Sequence, residues 1–443
     1  MAMKALEVYK LLPKTNCKEC GFPTCLAFAM KLAAGGVEPE RCPYLDEETK
    51  ALLGGATRPP VRAVTVGVGA RSFTVGEEIV MFRHEKTFYH RPGIMVCAAD
   101  TSPVAEIRRT AEEVRDFVVH RVGQDLTLDG IALRCESGDP DRFAAAAMAV
   151  GECGDLPRLL IAADPAAHEA ALRVCGQFLP LIHAATTENH AEMAALAKRY
   201  GCPLVVRAET QVKLADLAAQ CTAAGAPAVL LDPAPRTMGD FVARASHLRE
   251  HAVTRAAPDL GYPLYLDTVP LGTDAALAAG ILRYAGVIAV PPLPHPSLLA
   301  ALTLRQNIYT DPQKPIQVAP GIYPVNNPGR DAPVLLSVNF SLTYFTLLGY
   351  LEAAKVPCYL FVVDTAGLSV LTAVAGGKLD EEVVKKAIEA TDLAGTVGHR
   401  TIVIPGFAAP LSGRIEEATG WTVRVGPRDA AEIGEFLETE TEG

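Results

Sequence analysis

Three cysteines fall within nine positions in the stretch NCKECGFPTC, residues 16–25, and a fourth follows in RCPYL at Cys42. Together Cys17, Cys20, Cys25 and Cys42 read C-x2-C-x4-C-x16-C, with Gly21 and Pro23 inside the tight loop and Pro43 directly after the last thiol. Thiolates at such spacing bind soft metals, and glycine lets backbone N–H groups approach cluster sulfurs and offset their charge. A zinc knuckle would normally bring a second CxxC or histidine partners. There is one CxxC, and the first histidine is His84. The spacing therefore favours a 4Fe-4S cluster over a tetrahedral zinc site, and either over unrelated buried cysteines. Such a cluster is a one-electron relay and needs an acceptor. The chain has neither a CxxCH haem attachment nor a GxGxxG opening its last module, so the acceptor is of another kind.

The other seven cysteines, Cys97, Cys135, Cys153, Cys175, Cys202, Cys221 and Cys358, stand singly in apolar segments and read as small core residues. A second set of chemical groups follows short apolar runs: Asp100, Glu136, Asp164, Thr186, Glu209, Asp232 and Asp267. These positions are where a parallel barrel places its chemistry, at the C-terminal ends of strands. Asp and Thr are also preferred helix caps, and capping is the favoured reading. No pair among them has a spacing that demands acid–base work, so no barrel active site is named.

The elements that must carry these residues are legible in the apolar pattern. GIMVCAAD, GIALRCES, RLLIAAD, LIHAAT, PLVVRAE, AVLLDP, PLYLDTV and GVIAVPP are eight runs of strand length. Between them lie amphipathic stretches such as VAEIRRTAEEVRDFVVHRV (residues 104–122), read as helices. Eight doubly buried strands each followed by a helix predict a TIM (β/α)8 barrel. An open doubly wound sheet shares the alternation, but it usually has fewer strands and a Gly-rich first turn. Upstream, VRAVTVGVG and SFTVGEEIVMF alternate with period two and predict a hairpin. Downstream, a proline-rich stretch reads as a linker before a restarted strand–helix rhythm, from PVLLSVNF to WTVRVGP, that predicts an open α/β, Rossmann-like sheet. The expected organisation is a cluster domain (1–57), a linker and hairpin (58–92), the barrel (93–310), a linker (311–333) and a last α/β domain (334–443).

Over 443 residues, 49% hydrophobic and 21% charged usage describes a globular chain. A formal charge of −10 without basic clusters argues against nucleic acid. The first residues lack a signal-peptide apolar region, and no run approaches the roughly 18 apolar residues of a membrane span. A cytoplasmic location is expected, where eleven cysteines serve as ligands and buried thiols rather than disulfides.

Several long motifs, in order, resemble the large (gamma) subunit family of corrinoid iron-sulfur proteins over essentially the whole chain. They are LEVYKLLPKTNCKECGFPTCLAFAMKLAAG with RCPYL, FRHEKTFYH (82–90), RQNIYTDPQ, NFSLTYF, DTAGLSVLTAVAGGK and GWTVRVGPRDA. The resemblance implies a 4Fe-4S cluster on the four N-terminal cysteines and a base-off, cobalamin-type corrinoid in the last domain. By position, corrinoid contacts would fall at Asn339, Thr343, Phe345, Thr346, Gly367, Leu368, Ser369, Val370, Leu371, Thr372, Ala373, Gly406, Ile433 and Gly434. Ser369 alone would read as a helix N-cap. The Asp-x-His-x-x-Gly pattern that supplies a cobalt ligand in many corrinoid proteins is missing.

The implied activity is corrinoid-dependent methyl transfer in the reductive acetyl-CoA (Wood–Ljungdahl) pathway. Co(I) takes a methyl group from methyltetrahydrofolate on a separate methyltransferase and passes it to acetyl-CoA synthase/CO dehydrogenase, while the cluster restores Co(II). The implied partners also include a small corrinoid iron-sulfur protein subunit forming a heterodimer. Two other readings stay open here: a barrel methyltransferase that binds methyltetrahydrofolate itself, and an Fe-S electron-transfer protein without corrinoid.

Overall fold

The computed structural model describes all residues except 1–4, 34–36, 48, 51–52, 54–58, 255–257, 273, 312–314 and 442–443. Much of the Gly/Pro stretch at 54–62 therefore lies outside the described residues. The chain divides into two compact units, one of residues 1–119 and 126–309, the other of 120–125 and 310–443.

In the first unit, helices Ala5–Leu11 and Cys25–Ala33 enclose a small core of Val8, Leu12, Phe28, Ala29, Leu32, Leu45 and Leu53, to which Cys20, Cys25 and Cys42 contribute. The expected hairpin follows, with β1 (Val64–Val66) antiparallel to β2 (Phe73–Val75). Strand β3 is Gly93–Ala99. Helix Val104–Asp116 then stops short of the predicted 104–122. Its continuation is β4 (Val118–Arg121), a turn with Val122 and Gly123 both at positive φ, and β5 (Gln124–Thr127), of which residues 120–125 belong to the second unit. Successive β-branched valines favour extended backbone, and two positive φ values are what a two-residue hairpin turn demands.

Seven more strands complete the barrel: β6 (Gly130–Arg134), β7 (Arg158–Ile161), β8 (Leu181–Ala185), β9 (Leu204–Arg207), β10 (Val229–Asp232), β11 (Leu264–Asp267) and β12 (Ala285–Val290). All eight predicted strands are present. They close in parallel in the order β3-β6-β7-β8-β9-β10-β11-β12, β12 pairing back to β3 through Val287 and Gly93. Alternate residues sort as the pleat requires. Met95, Ala132, Leu159, Val205, Leu230 and Tyr265 pack inside the barrel, while Ile94, Val96, Ile131 and Leu133 pack outward under the helices. Val64, Val66 and Val75 join the interior cluster, so the hairpin plugs the end where the strands begin.

The second unit holds a five-stranded sheet of β13 (Gly321–Val325), β14 (Val334–Val338), β15 (Cys358–Val363), β16 (Thr401–Ile404) and β17 (Thr422–Val425), in the order β13-β15-β14-β16-β17. Strand β13 lies inside the predicted 311–333 linker and runs antiparallel on the edge, while the other four are mutually parallel. The chain runs from β14 to β15 on one side and then to β16 on the other, which makes the C-terminal ends of β14 and β16 the topological switch point where open sheets bind ligands.

Candidate functional site

The N-terminal thiols are set by a loop built for close approach. Lys14, Asn16, Lys18 and Gly21 all have positive φ, and the Asn16 side chain accepts a hydrogen bond from the Cys25 backbone N–H at 2.8 Å, fixing the start of the second helix. Cys20, Cys25 and Cys42 are buried, whereas Cys17 is exposed. Burial pushes the Cys42 thiol above its ordinary pKa, a backbone bond at Tyr44 opposes this, and Cys20, Cys17 and Cys25 each push it further up. Cys42 thus lies within electrostatic reach of the other three thiols. Among the described residues no group of three or more His, Cys, Asp or Glu side chains is gathered to hold a metal ion. A cluster makes a different demand: each cysteine binds its own iron at one corner, so the sulfurs stand further apart than the ligands of a single ion. Four thiols with no neighbouring histidine suit that donor set.

In the second unit a cavity of about 420 Å³ opens at the switch point. Leu335 of β14 and Val403 of β16 form the one registered pair between those strands, and both line it, with Ser337, Leu347 and Ile404. Of the predicted contacts, Thr343, Thr346, Ser369, Val370, Leu371 and Ile433 line the cavity. Asn339, Phe345, Gly367, Leu368, Thr372, Ala373, Gly406 and Gly434 do not. Several of these support the wall instead. The buried Asn339 carbonyl oxygen accepts from Thr365 N–H, Thr365 O–H and Gly367 N–H, each at 3.0 Å, while its amide donates to Asp364 at 2.9 Å, so one side chain organises the 364–368 loop. Ala373 is fully buried, and a Cβ on Gly406 would fall 2.8 Å from the Arg428 backbone nitrogen. Ser369 occupies the N-cap of helix Val370–Ala375, yet its side chain makes no capping bond; its hydroxyl pairs with that of Thr372 at 3.0 Å.

Residue-by-residue reading overlooked Ser337, Phe407, Arg428 and Asp429, which also line the cavity. Ser337 was detectable as the one polar residue inside VLLSV. Among the described residues Arg428 is the one cation on the lining, and its guanidinium lies 5.8 Å from the Phe407 ring centroid. Leu342, Leu371 and Phe407 are 53%, 58% and 43% exposed, giving the opening an apolar rim. Among the described residues, the lining includes no histidine, cysteine or methionine that could ligate a metal.

The strand-end residues of the barrel are held by neighbours. Asp164 caps its helix by accepting from Ala166 N–H at 2.9 Å, as expected. Several of the others do different work. Asp100 accepts from Glu136 N–H, Ser137 N–H and the Ser137 hydroxyl, bracing the loop after β6. Asp267 takes Arg134 at 2.5 Å, and Glu209 takes Arg236 at 3.0 Å while Thr210 makes the cap. Asp232 is buried and accepts from His183 at 2.9 Å and Arg207 at 2.8 Å. Burial would raise its pKa, but the His183 bond and charge and the Arg207 charge outweigh it and hold the carboxyl below the usual carboxylate range. The mouth acids Asp232 and Asp267 are therefore matched by arginines rather than poised as an acid–base pair.

Comparison with known proteins agrees with this division of labour. Residues 63–437 match the family described as CO dehydrogenase/acetyl-CoA synthase delta subunit, and residues 12–44 match one described as putative Fe-S cluster. An acetyl-CoA decarbonylase/synthase complex subunit gamma from Methanopyrus kandleri is 41% identical over 99% of this chain and 98% of that protein. The corrinoid/iron-sulfur protein large subunit of Moorella thermoacetica is 38% identical over 98% of each chain. Among solved structures, a dihydropteroate synthase from Thermus thermophilus covers 56% of this chain with 18% identity and a TM-score of 0.39, too loose a likeness to argue from. A match spanning barrel and sheet alike, with near-complete coverage of both relatives, means that the chain belongs to the CO dehydrogenase/acetyl-CoA synthase delta-subunit family, with corrinoid/iron-sulfur large subunits and decarbonylase/synthase gamma subunits among its relatives.

Proposed function

We propose that this chain is a methyl carrier of the reductive acetyl-CoA pathway, loaded with a base-off corrinoid in its C-terminal unit and a 4Fe-4S cluster on Cys17, Cys20, Cys25 and Cys42. The observation that carries the reading is the switch-point cavity, apolar in its depth and rimmed by exposed Leu342, Leu371 and Phe407, on a chain that also holds a thiol quartet. A cofactor with a broad apolar face would cover that rim. The relatives' names, which pair corrinoid with iron-sulfur, point the same way.

A corrinoid bound here would supply nucleophilic cobalt for methyl transfer between methyltetrahydrofolate on a separate methyltransferase and acetyl-CoA synthase. Cys17, Cys20, Cys25 and Cys42 would hold the cluster, which would supply one-electron chemistry to keep the cofactor reduced. This chain provides the setting. Thr343, Thr346 and Ser369 would offer hydroxyls to corrin amides, Val370, Leu371 and Ile433 would offer apolar contact, and among the described residues the lining brings no histidine, cysteine or methionine to ligate cobalt. The buried carboxylates of the barrel mouth are neutralised by arginines, which suits a scaffold. A small corrinoid iron-sulfur subunit, the methyltransferase and acetyl-CoA synthase/CO dehydrogenase are the proposed partners. Among the described residues no helix is long and apolar enough to cross a membrane, and a cytoplasmic site suits those partners.

Metal content tests the assignment. Chain purified anaerobically from cobalamin-replete cells should carry about one cobalt and about four irons with a corrinoid absorption band. Iron without cobalt would sink the carrier reading in favour of a plain electron-transfer protein. Cys20→Ala should leave methyl uptake by chemically reduced protein largely intact while abolishing reactivation through the physiological reductant. Reactivation at the wild-type rate would remove the relay role.

A further inference from the structure

Ser337 is 1% exposed, sits between Leu336 and Val338 on β14, and its hydroxyl has no hydrogen-bond partner. Ser337 is one of the residues that line the cavity, beside Leu335, Val403 and Leu347, and its hydroxyl is buried in the cavity wall. The cavity's other polar side chains, including Thr343, Thr346, Ser369, Arg428 and Asp429, are half-buried or exposed. In an apolar interior an unpaired hydroxyl is a net cost that alanine would avoid, so it is explained best by a partner that arrives with a ligand.

The corrinoid reading above, on which this step rests, defines what that partner must be. When the lower base leaves cobalt, the ring nitrogen that had been coordinated keeps a lone pair and needs a donor. A base carried into an apolar cavity can find one only from the protein. We infer that Ser337 donates to the ring nitrogen of the displaced lower base, and that the chain thereby selects cobamides with a nitrogen heteroaromatic base over those with a phenolic base, which offers no such acceptor. A volume of about 420 Å³ accommodates a bicyclic aromatic ring.

The test is equilibrium binding to cofactor-free, anaerobic full-length chain, using cobalamin, a phenolyl cobamide and cobinamide, which lacks a base. Wild type should hold cobalamin about tenfold more tightly than the phenolyl cobamide, and Ser337→Ala should erase that margin by weakening cobalamin alone, with cobinamide unchanged. The denaturation midpoint of cofactor-free Ser337→Ala should equal or exceed that of wild type, because the hydroxyl has no partner to lose; this separates a lost contact from a misfolded chain. Equal affinity of wild type for the two cobamides, or equal weakening of both by Ser337→Ala, would overturn the assignment and leave the carrier reading standing. Failure of wild type to take up any of the three would overturn both.

Discussion

His168 lies wholly buried on helix Pro165–Cys175, its Nε2 facing the carbonyls of Ala162 at 3.2 Å and His183 at 3.0 Å, with no partner for Nδ1. Two carbonyls require the Nε2–H tautomer. Burial pushes its pKa down to about 4, against the smaller opposing pull of those backbone bonds. Between that value and the ordinary histidine value near 6.5 the unfolded chain binds a proton that the folded chain refuses. Stability is therefore fully present above about pH 6.5 and falls as the pH drops toward 4, by about 3 kcal/mol from this residue. Urea unfolding measured at pH 7.5 and pH 5 should show about 2 kcal/mol of that loss, and His168→Gln should flatten the slope in this window. Asn339 is a case where the motif was legible and the role was not. It stood out in NFSLTYF as a corrinoid contact, whereas its carbonyl spends its lone pairs on the loop behind the cavity. Partners separated by some 25 residues cannot be inferred from local spacing.

The hairpin of β1 and β2 gives the barrel a floor. Gly93, at the start of β3, leaves room for Phe73: a Cβ there would come within 2.2 Å of the Phe73 ring. Gly93→Ala should displace the ring and cost about 1–3 kcal/mol, read as a lower urea midpoint at unchanged slope. A shift below a few tenths would mean that the ring moves freely and that the floor is loosely packed. The eight barrel strands were legible because each is an uninterrupted apolar run, the mark of strands covered on both faces. Strand β13 was not, since Pro324 and the prolines around it read as linker. An edge strand tolerates proline because one side of its backbone has no ladder to complete. Strands β4 and β5 were hidden for another reason: helix Val104–Asp116 is strongly amphipathic, and its periodicity runs on by chance through Val118 and Val119.

At the scale of the whole chain, each unit has its own core, and every residue lining the switch-point cavity lies between Leu335 and Ile433. A fragment of residues 310–443, which holds the whole cavity lining and lacks only 120–125 of its unit, should unfold cooperatively by circular dichroism and retain cobalamin affinity within about threefold of the full chain. A non-cooperative or corrinoid-free fragment would show that residues outside it complete the site. The placement of cysteines has a consequence for how such a protein is filled. Burial pushes Cys97, Cys175 and Cys221 up to about 11 and Cys202 and Cys358 up to about 12, and raises Cys135 and Cys153 as well. A thiol must shed its proton to capture iron, so these seven offer poor footholds to stray metal. Cys42 is raised too, but part of its rise comes from three neighbouring sulfurs, a repulsion that incoming iron cancels. On the proposed assignment metallation is steered by geometry: of eleven cysteines, the N-terminal four present iron with one address, while the other seven thiols hold their protons.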